Sequence, residues 1–215
     1  MPDLILALDA TNREKALAIA KACTPHIDAI KVGYPLVLTA GLSIAGDLKT
    51  TGLPLIADFK VADIPNTNQL ICDQVFAAGF TAVICQGFCG MDSVKACVAY
   101  ARAHRGECFV VAEMSHPGGK EFFSHGVPEQ IAANAVIAGA DGIIAPATRP
   151  DRVEVLRGFV GDKKILSPGV GTQGGDVDAI AELVDGIIVG RSIYEATDPA
   201  AAAQSYARAR RRQKR

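Results

Sequence analysis

Eight short apolar segments recur along this 215-residue sequence, and each is followed by a longer stretch with apolar residues at helical spacing. A strand buried on both faces gives a near-continuous apolar run, which is typical of a parallel sheet covered by helices. Eight such units in so short a chain predict a single α/β domain, a (β/α)8 TIM barrel over residues 1–215. The predicted strands are Leu4–Asp9, Asp28–Gly33, Pro54–Lys60, Thr81–Gly87, Glu107–Met114, Asp141–Ala145, Lys163–Pro168 and Asp185–Gly190.

Helix patterns fill the intervals between these strands, for example Arg13–Cys23, Asn66–Ala78 and Ser93–Arg105. Gly79 and Gly139 each follow such a pattern and precede the next strand, which predicts glycine C-caps. An open, doubly wound sheet is the alternative, because Gly169, Gly171 and Gly174 have the spacing GxGxxG. A dinucleotide fold places that motif early and an acidic residue near the end of the next strand, and this chain does neither.

Charge and residue composition argue against several classes of function. The formal net charge is −1, which gives no reason to expect a nucleic-acid or membrane partner. The basic C-terminal tail, at about 207–215, is expected to be a solvated helix end. No basic segment precedes the first apolar run, and six scattered cysteines form no CxxC pair, so we expect a cytoplasmic protein with reduced, mostly buried thiols. The histidines lack metal-ligand spacing and no cofactor signature is present, so we expect neither a metal nor a cofactor.

Ionisable residues lie repeatedly where the predicted strands end, which is where barrel enzymes carry their active sites. In the third strand Asp58 and Lys60 are two residues apart, so their side chains are expected on the same face. Charged groups removed from water require partners or a chemical role. The residues at these ends are Asp9, Lys31, Asp58, Lys60, Asp63 in the third loop, and Ser115 after the fifth strand.

Lys60 is flanked by two carboxylates, which favour its protonated form. A charged ammonium suits a proton donor and not a Schiff-base nucleophile, which requires a neutral amine. The residues alone therefore suggest decarboxylation or proton transfer. A phosphorylated substrate is indicated by the glycine-rich loop 167–175 together with Gly190 and Arg191, because barrels often hold phosphate at their last two loops.

The motifs of the chain resemble those of the orotidine 5'-phosphate decarboxylases, specifically the short archaeal-type form. The resemblance runs from the first strand to the last helix, and the most specific motifs are Asp58-Phe-Lys60-Val-Ala-Asp63-Ile64-Pro-Asn-Thr67 and Ser167-Pro168-Gly-Val-Gly-Thr-Gln173. It implies cofactor-free conversion of orotidine 5'-phosphate to uridine 5'-phosphate (UMP) and CO2, the last step of de novo UMP synthesis.

The resemblance also implies residue roles. Lys60 would protonate C6 of the pyrimidine beside Asp58, within a charge network that includes Asp63. Asp9 and Lys31 would hold the ribose and Ser115 the pyrimidine. Pro168, Gln173, Gly190 and Arg191 would complete the substrate site around the phosphate. A homodimer is implied in which Asp63, Ile64 and Thr67 reach into the partner's site.

Three alternatives stay open at this point. A hexulose-phosphate synthase or related sugar-phosphate decarboxylase would use the same Asp-x-Lys-x-x-Asp motif with magnesium. A class I aldolase-like enzyme would use Lys60 as a Schiff base. A catalytically silent nucleotide-binding protein would bind UMP without turnover.

Overall fold

Eight parallel strands close into a barrel in sequence order in the computed structural model, which describes residues 1–210. The predicted TIM barrel is therefore confirmed. The strands are β1 (Asp3–Ala7), β2 (Ala29–Gly33), β3 (Leu55–Val61), β4 (Ala82–Gln86), β5 (Glu107–Val111), β6 (Gly142–Ile144), β7 (Lys164–Pro168) and β8 (Gly186–Val189).

Helices connect the strands and cover the outside of the barrel. They are α1 (Arg13–Cys23), α2 (Tyr34–Ala40), α3 (Ile44–Leu48), α4 (Pro65–Ala78), α5 (Met91–Ala103), α6 (Gly119–Phe122), α7 (Val127–Ala138), α8 (Pro150–Val160), α9 (Val177–Ile180), α10 (Arg191–Tyr194) and α11 (Pro199–Ala209), with 3-10 turns at Thr24–His26 and Lys49–Thr51. Gly79 and Gly139 cap α4 and α7 in the left-handed conformation, as predicted.

A fourfold repeat is visible at the amino-terminal end of the barrel. The residue that precedes each even-numbered strand is Asp28, Thr81, Asp141 or Asp185, and its side-chain oxygen accepts a hydrogen bond from a backbone N–H of the preceding strand. The four distances lie between 2.7 and 3.1 Å, and the donors are Leu4, Leu55, Cys108 and Ile165. These bonds satisfy N–H groups at the starts of the odd-numbered strands, which would otherwise lack partners at the barrel's closed end.

The core has two layers because strand side chains alternate between the barrel interior and the helices. Leu4 and Leu6 face the helices, whereas Ile5 and Ala7 face the interior. The interior layer contains Ile5, Ala7, Ala29, Ile56, Ala82, Ile84, Phe109, Val111, Ile144, Leu166 and Ile188. It fills the barrel below the strand ends, so polar groups at the top stand on an apolar floor.

The third strand departs from the regular pattern that we predicted. Its register with β4 shifts between Ala57 and Val61, and Lys60 has a φ of 43°. Non-glycine residues seldom occupy this left-handed region, and such strain gathers at functional sites. The irregularity lies at the residue that the sequence marks as the proton donor.

The basic C-terminal tail differs from the prediction where the structure describes it. Arg210 is only 5% exposed, and its Nη1 donates to the carbonyl of Pro2 at 2.9 Å and also pairs with Asp28. The expectation of a solvated helix end is wrong for this residue, because the end of α11 packs against the amino-terminal end of the barrel. The rest of the predicted tail, residues 211–215, lies outside the described residues.

Two further expectations concern the remainder of the chain. The six cysteines carry free thiols, and all except Cys89 are buried, as expected. In the described part of the chain, none of the helices combines the length and apolar character needed to cross a membrane.

Candidate active site

A cavity of about 250 Å³ opens at the carboxyl ends of the strands. Its floor is apolar, formed in part by Ile84, Val111 and Ile144 from the interior layer. Nine of the predicted site residues line it: Asp9, Lys31, Asp58, Lys60, Ser115, Pro168, Gln173, Gly190 and Arg191. The topology thus brings together residues that are as far apart in sequence as the first and last strands.

Asp58 is the centre of the charged network. Its Oδ2 accepts a hydrogen bond from Lys31 Nζ at 2.5 Å, and its Oδ1 accepts one from Lys60 Nζ at 2.8 Å. Burial by itself raises the pKa of Asp58, but attraction to Lys31 and Lys60 and the hydrogen bonds from both ammonium groups outweigh it. The pKa therefore lies below its ordinary value, and the carboxylate is ionised at neutral pH.

The two lysines differ in their exposure. The Lys31 side chain is 7% exposed, whereas that of Lys60 is 38% exposed. Lys31 comes from β2, where it shares the inward face with Ala29, and it is fixed between the apolar floor and Asp58. Lys60 therefore presents its ammonium group to the open cavity, where a bound molecule can receive a proton.

Asp9 follows β1 and brings a second carboxylate to the cavity. Its Oδ1 is buried and has no hydrogen-bond partner among the described residues. Gly33 makes room for it, since a Cβ at Gly33 would lie 2.7 Å from that oxygen. Burial, followed by the charges of Asp9 and Glu195, raises the pKa of Tyr194, which also lines the cavity. The carboxylate of Asp9 therefore lies in the cavity wall, with Oδ1 packed against Gly33.

The loop after β7 forms the opposite wall. Gly171 has a φ of 78° and approaches α10 and α11 so closely that a Cβ would clash with Ser192 and Tyr206. Thr172 is bound to Ser192 through its backbone N–H at 3.0 Å and its hydroxyl at 2.7 Å. These contacts hold the loop beside the start of α10.

Arg191 and Gln173 lie at this wall. Arg191 is exposed, and within residues 1–210 its guanidinium forms no ion pair shorter than 4.0 Å with a carboxylate. A free guanidinium beside a polar amide and a glycine-rich loop fits the oxygens of a phosphate.

Sequence reasoning missed several residues that line the cavity, chiefly Glu113, Met114 and Tyr194. Glu113 is 2% exposed and pairs with Arg149 and Arg152. Its position two residues beyond β5 was a usable signal, because a charged residue between apolar neighbours at a strand end requires partners.

Asp63, Ile64 and Thr67 are the predicted site residues that do not line this cavity. Asp63 and Ile64 are exposed, Ile64 to 65%, and Thr67 lies in the first turn of α4. Asn68 and Ser93 fix the Asp63 backbone: Asn68 Oδ1 accepts from its N–H, and Asn68 Nδ2 and Ser93 Oγ donate to its carbonyl at 2.9 Å. The segment is thus held in place outside the chain's own site.

A closed barrel with a charged network at its strand ends, beside a glycine-rich loop suited to phosphate, is typical of TIM-barrel enzymes. Among residues 1–210, no group of three or more His, Cys, Asp or Glu side chains is arranged to hold a metal ion. The chain belongs to the orotidine 5'-phosphate decarboxylase / HUMPS family, whose profile matches residues 2–206.

Individual relatives agree with this membership. The chain is 58% identical over 206 residues to an orotidine 5'-phosphate decarboxylase of Methanosarcina acetivorans, covering 95% of this chain and 92% of the relative. It is 48% identical over 204 residues to that of Thermococcus kodakarensis, with 94% and 93% covered. The crystal structure of orotidine 5'-monophosphate decarboxylase from Methanocaldococcus jannaschii, complexed with inhibitor BMP, is similar with a TM-score of 0.93 and 39% identity, covering 97% of this chain and 98% of that one.

Proposed function

We propose that this chain decarboxylates orotidine 5'-phosphate to UMP and CO2, the last step of de novo UMP synthesis, without a cofactor. Its relatives at 58% and 48% identity are orotidine 5'-phosphate decarboxylases over nearly their full length. The observation that carries the proposal is the pairing of both Asp58 oxygens with Lys31 and Lys60 in the cavity wall. The sequence features given above favour the cytoplasm as its location.

The reaction requires one bond to break and one to form. When the bond between C6 and the carboxylate breaks, CO2 leaves and the electron pair stays on C6 of the pyrimidine. Lys60 then gives an Nζ proton to that carbon, forming the C–H bond of UMP, and regains a proton from solvent. The positive ammonium also stabilises the negative charge that develops on C6. Such electrostatic stabilisation is strongest when the charged group is preorganised in a site of low dielectric constant.

Asp58 has a separate role in this proposal. It is ionised and directed to the place where the substrate carboxylate meets Lys60. Two carboxylates about 4 Å apart repel each other by about 4 kcal/mol at an effective dielectric constant of about 20. This repulsion disappears when neutral CO2 departs, so it favours the transition state over the bound substrate.

Binding groups surround the reacting carbon. Asp9 and Lys31 bind the ribose hydroxyls, while Ser115 hydrogen-bonds the pyrimidine. The remaining substrate contacts come from β7, the loop after it and the end of β8. Pro168 lines the cavity wall. Gln173, the Gly190 amide and Arg191 bind the phosphate. Phosphate binding at a distance from C6 provides energy that can close the loops and exclude water.

We also propose a homodimer in which Asp63, Ile64 and Thr67 complete the partner's site. The exposure of Ile64 and the fixed backbone of Asp63 support this, because the segment is ordered yet directed away from its own cavity. In this arrangement Asp63 joins the charge network of the neighbouring subunit.

The activity is tested by following the ultraviolet absorbance of orotidine 5'-phosphate with EDTA present. We expect rapid conversion to UMP that magnesium does not accelerate. Loss of activity in EDTA and its return with magnesium would instead support the sugar-phosphate enzymes that share the motif. Tight UMP binding without turnover would indicate a silent binding protein.

Shared sites are tested by mixing two inactive homodimers, Lys60→Ala and Asp63→Ala. After subunit exchange each heterodimer has one intact site, so we expect recovery of up to about a quarter of wild-type activity by symmetry. Mixing Lys60→Ala with Asp58→Ala is the matched control and should recover nothing. Equal recovery in both mixtures would refute the shared site.

A further inference from the structure

Glu113 is a buried carboxylate at the edge of the cavity with no place in the chemistry above. It follows β5 by two residues and is 2% exposed, although it contributes to the cavity wall. Its two oxygens are used by two different arginines: Oε1 accepts from Arg149 Nε at 2.8 Å, and Oε2 accepts from Arg152 Nε at 3.0 Å. A carboxylate held in this way is fixed in position.

Arg149 extends this pairing to the backbone that carries Ser115. While its Nε binds Glu113, its Nη2 donates to the carbonyl of Met114. Next to it, the Thr148 hydroxyl donates to the Ser115 carbonyl at 3.3 Å. The loop before α8 therefore holds two consecutive carbonyls, and these determine where Ser115 stands.

The second arginine connects the cluster to α7. Arg152 Nη2 pairs with Glu129 Oε1 at 2.7 Å, and Arg152 Nε is bound to Glu113. Burial raises the pKa of Glu129, but the hydrogen bond from Arg152, its backbone hydrogen bond and the arginine charge together lower it. Two carboxylates and two guanidinium groups balance, so the cluster braces the loop without adding net charge to the site.

We propose that Glu113 is a positioning residue that places Ser115 against the pyrimidine of the substrate. The inference rests on the proposed function, since it assumes that Ser115 binds the base. Glu113→Gln keeps the size of the side chain but supplies one acceptor oxygen for two arginines. The two arginines then compete for that oxygen, so Arg149 loses its fixed orientation. Its hydrogen bond to the Met114 carbonyl weakens, and the position of Ser115, the next residue, is no longer fixed.

The test compares two ligands by calorimetry, UMP and ribose 5-phosphate. Ribose 5-phosphate reaches the ribose and phosphate sites but not Ser115. We expect Glu113→Gln to weaken UMP binding and to lower kcat/KM for orotidine 5'-phosphate by about 10- to 100-fold, the range for a displaced positioning group. Ribose 5-phosphate should bind with unchanged affinity.

A double-mutant cycle with Ser115→Ala adds a readout that general destabilisation does not produce. The losses for UMP should be far from additive, because Glu113 acts through Ser115. Additive losses, or an equal loss for ribose 5-phosphate, would overturn the proposal. Wild-type turnover of orotidine 5'-phosphate is measured separately, so an inactive wild type would refute the proposed function and not this role.

Two further variants guard against misfolding. Asp185→Asn weakens a more exposed Asp–Arg pair at the other end of the barrel, where Asp185 Oδ2 accepts from Arg157 Nη2 at 2.6 Å, and it should alter neither ligand's affinity. If Glu113→Gln does not fold, Arg152→Met, at a half-buried position, loosens the same carboxylate. A selective loss of UMP affinity in that variant supports the proposal, and parallel losses for both ligands refute it.

Discussion

Replacing Arg191 with alanine should separate catalysis from stability. The side chain is exposed and forms no ion pair shorter than 4.0 Å within residues 1–210, so its removal should change the free energy of unfolding by less than about 0.5 kcal/mol. In the complex, a guanidinium gives a phosphate two charge-assisted hydrogen bonds of about 1.5 kcal/mol each at a solvated site. The loss of about 3 kcal/mol corresponds to a decrease in kcat/KM of about 100-fold or more.

The assay is the absorbance change of orotidine 5'-phosphate at substrate concentrations well below KM, with thermal unfolding in parallel. Arg191→Lys should fall between wild type and the alanine variant, because it keeps the charge but not the planar fork. Arg208→Ala is the matched control, an exposed arginine on α11 at the far end of the barrel. Near-normal kcat/KM in Arg191→Ala would refute the assignment of the phosphate site.

Two further predictions concern stability. A Cβ at Gly142 would clash with the backbone carbonyl of Lys164, so thermal unfolding should show Gly142→Ala less stable by about 1–3 kcal/mol. Gly46→Ala in α3 meets no atom within 4 Å and should be more stable by about 0.5–1 kcal/mol; a reversed order would contradict this account of the packing. In the folded protein the pKa of Asp58 lies below its ordinary value of 3.8. The ionised carboxylate therefore contributes stability that is fully present above pH 3.8 and is lost as the pH falls through the lowered pKa. In denaturant titrations, Asp58→Asn should therefore be less stable than wild type at neutral pH, by about 3 kcal/mol, with the difference shrinking in strong acid; a difference independent of pH would refute the role of the ionised carboxylate.

The barrel was predictable because local pattern and global topology agree. Near-continuous apolar runs such as that of β8 (Gly186–Val189) are buried on both faces, and glycine caps such as Gly79 end helices where expected. Strand ends were less predictable: β1 ends at Ala7 and β5 at Val111, so Asp9 and Met114 lie beyond the strands that were predicted to include them. The left-handed backbone of Lys60 has no sequence signal, because its strain is sustained by the surrounding fold.

The charged network was predictable from the two-residue periodicity of β3 and from the rule that barrel sites lie at strand ends. The sequence could not show which charged side chains pair with each other. Asp58 accepts a hydrogen bond from Lys31 on the neighbouring strand, and Glu113 accepts hydrogen bonds from two arginines that are 36 and 39 residues away in sequence. These pairs depend on the tertiary structure. The burial of Arg210 was not predicted for the same reason, because its partners Pro2 and Asp28 lie at the opposite end of the sequence.

In the proposed mechanism, Lys60 donates the proton that replaces CO2 at C6. The most direct measurement is the rate of UMP formation by Lys60→Ala, alongside its affinity for UMP by calorimetry. If Lys60 is the proton donor, the variant still binds UMP but decarboxylates orotidine 5'-phosphate at least about 100-fold more slowly than wild type. A Lys60→Ala variant that turns over substrate at close to the wild-type rate would contradict the mechanism.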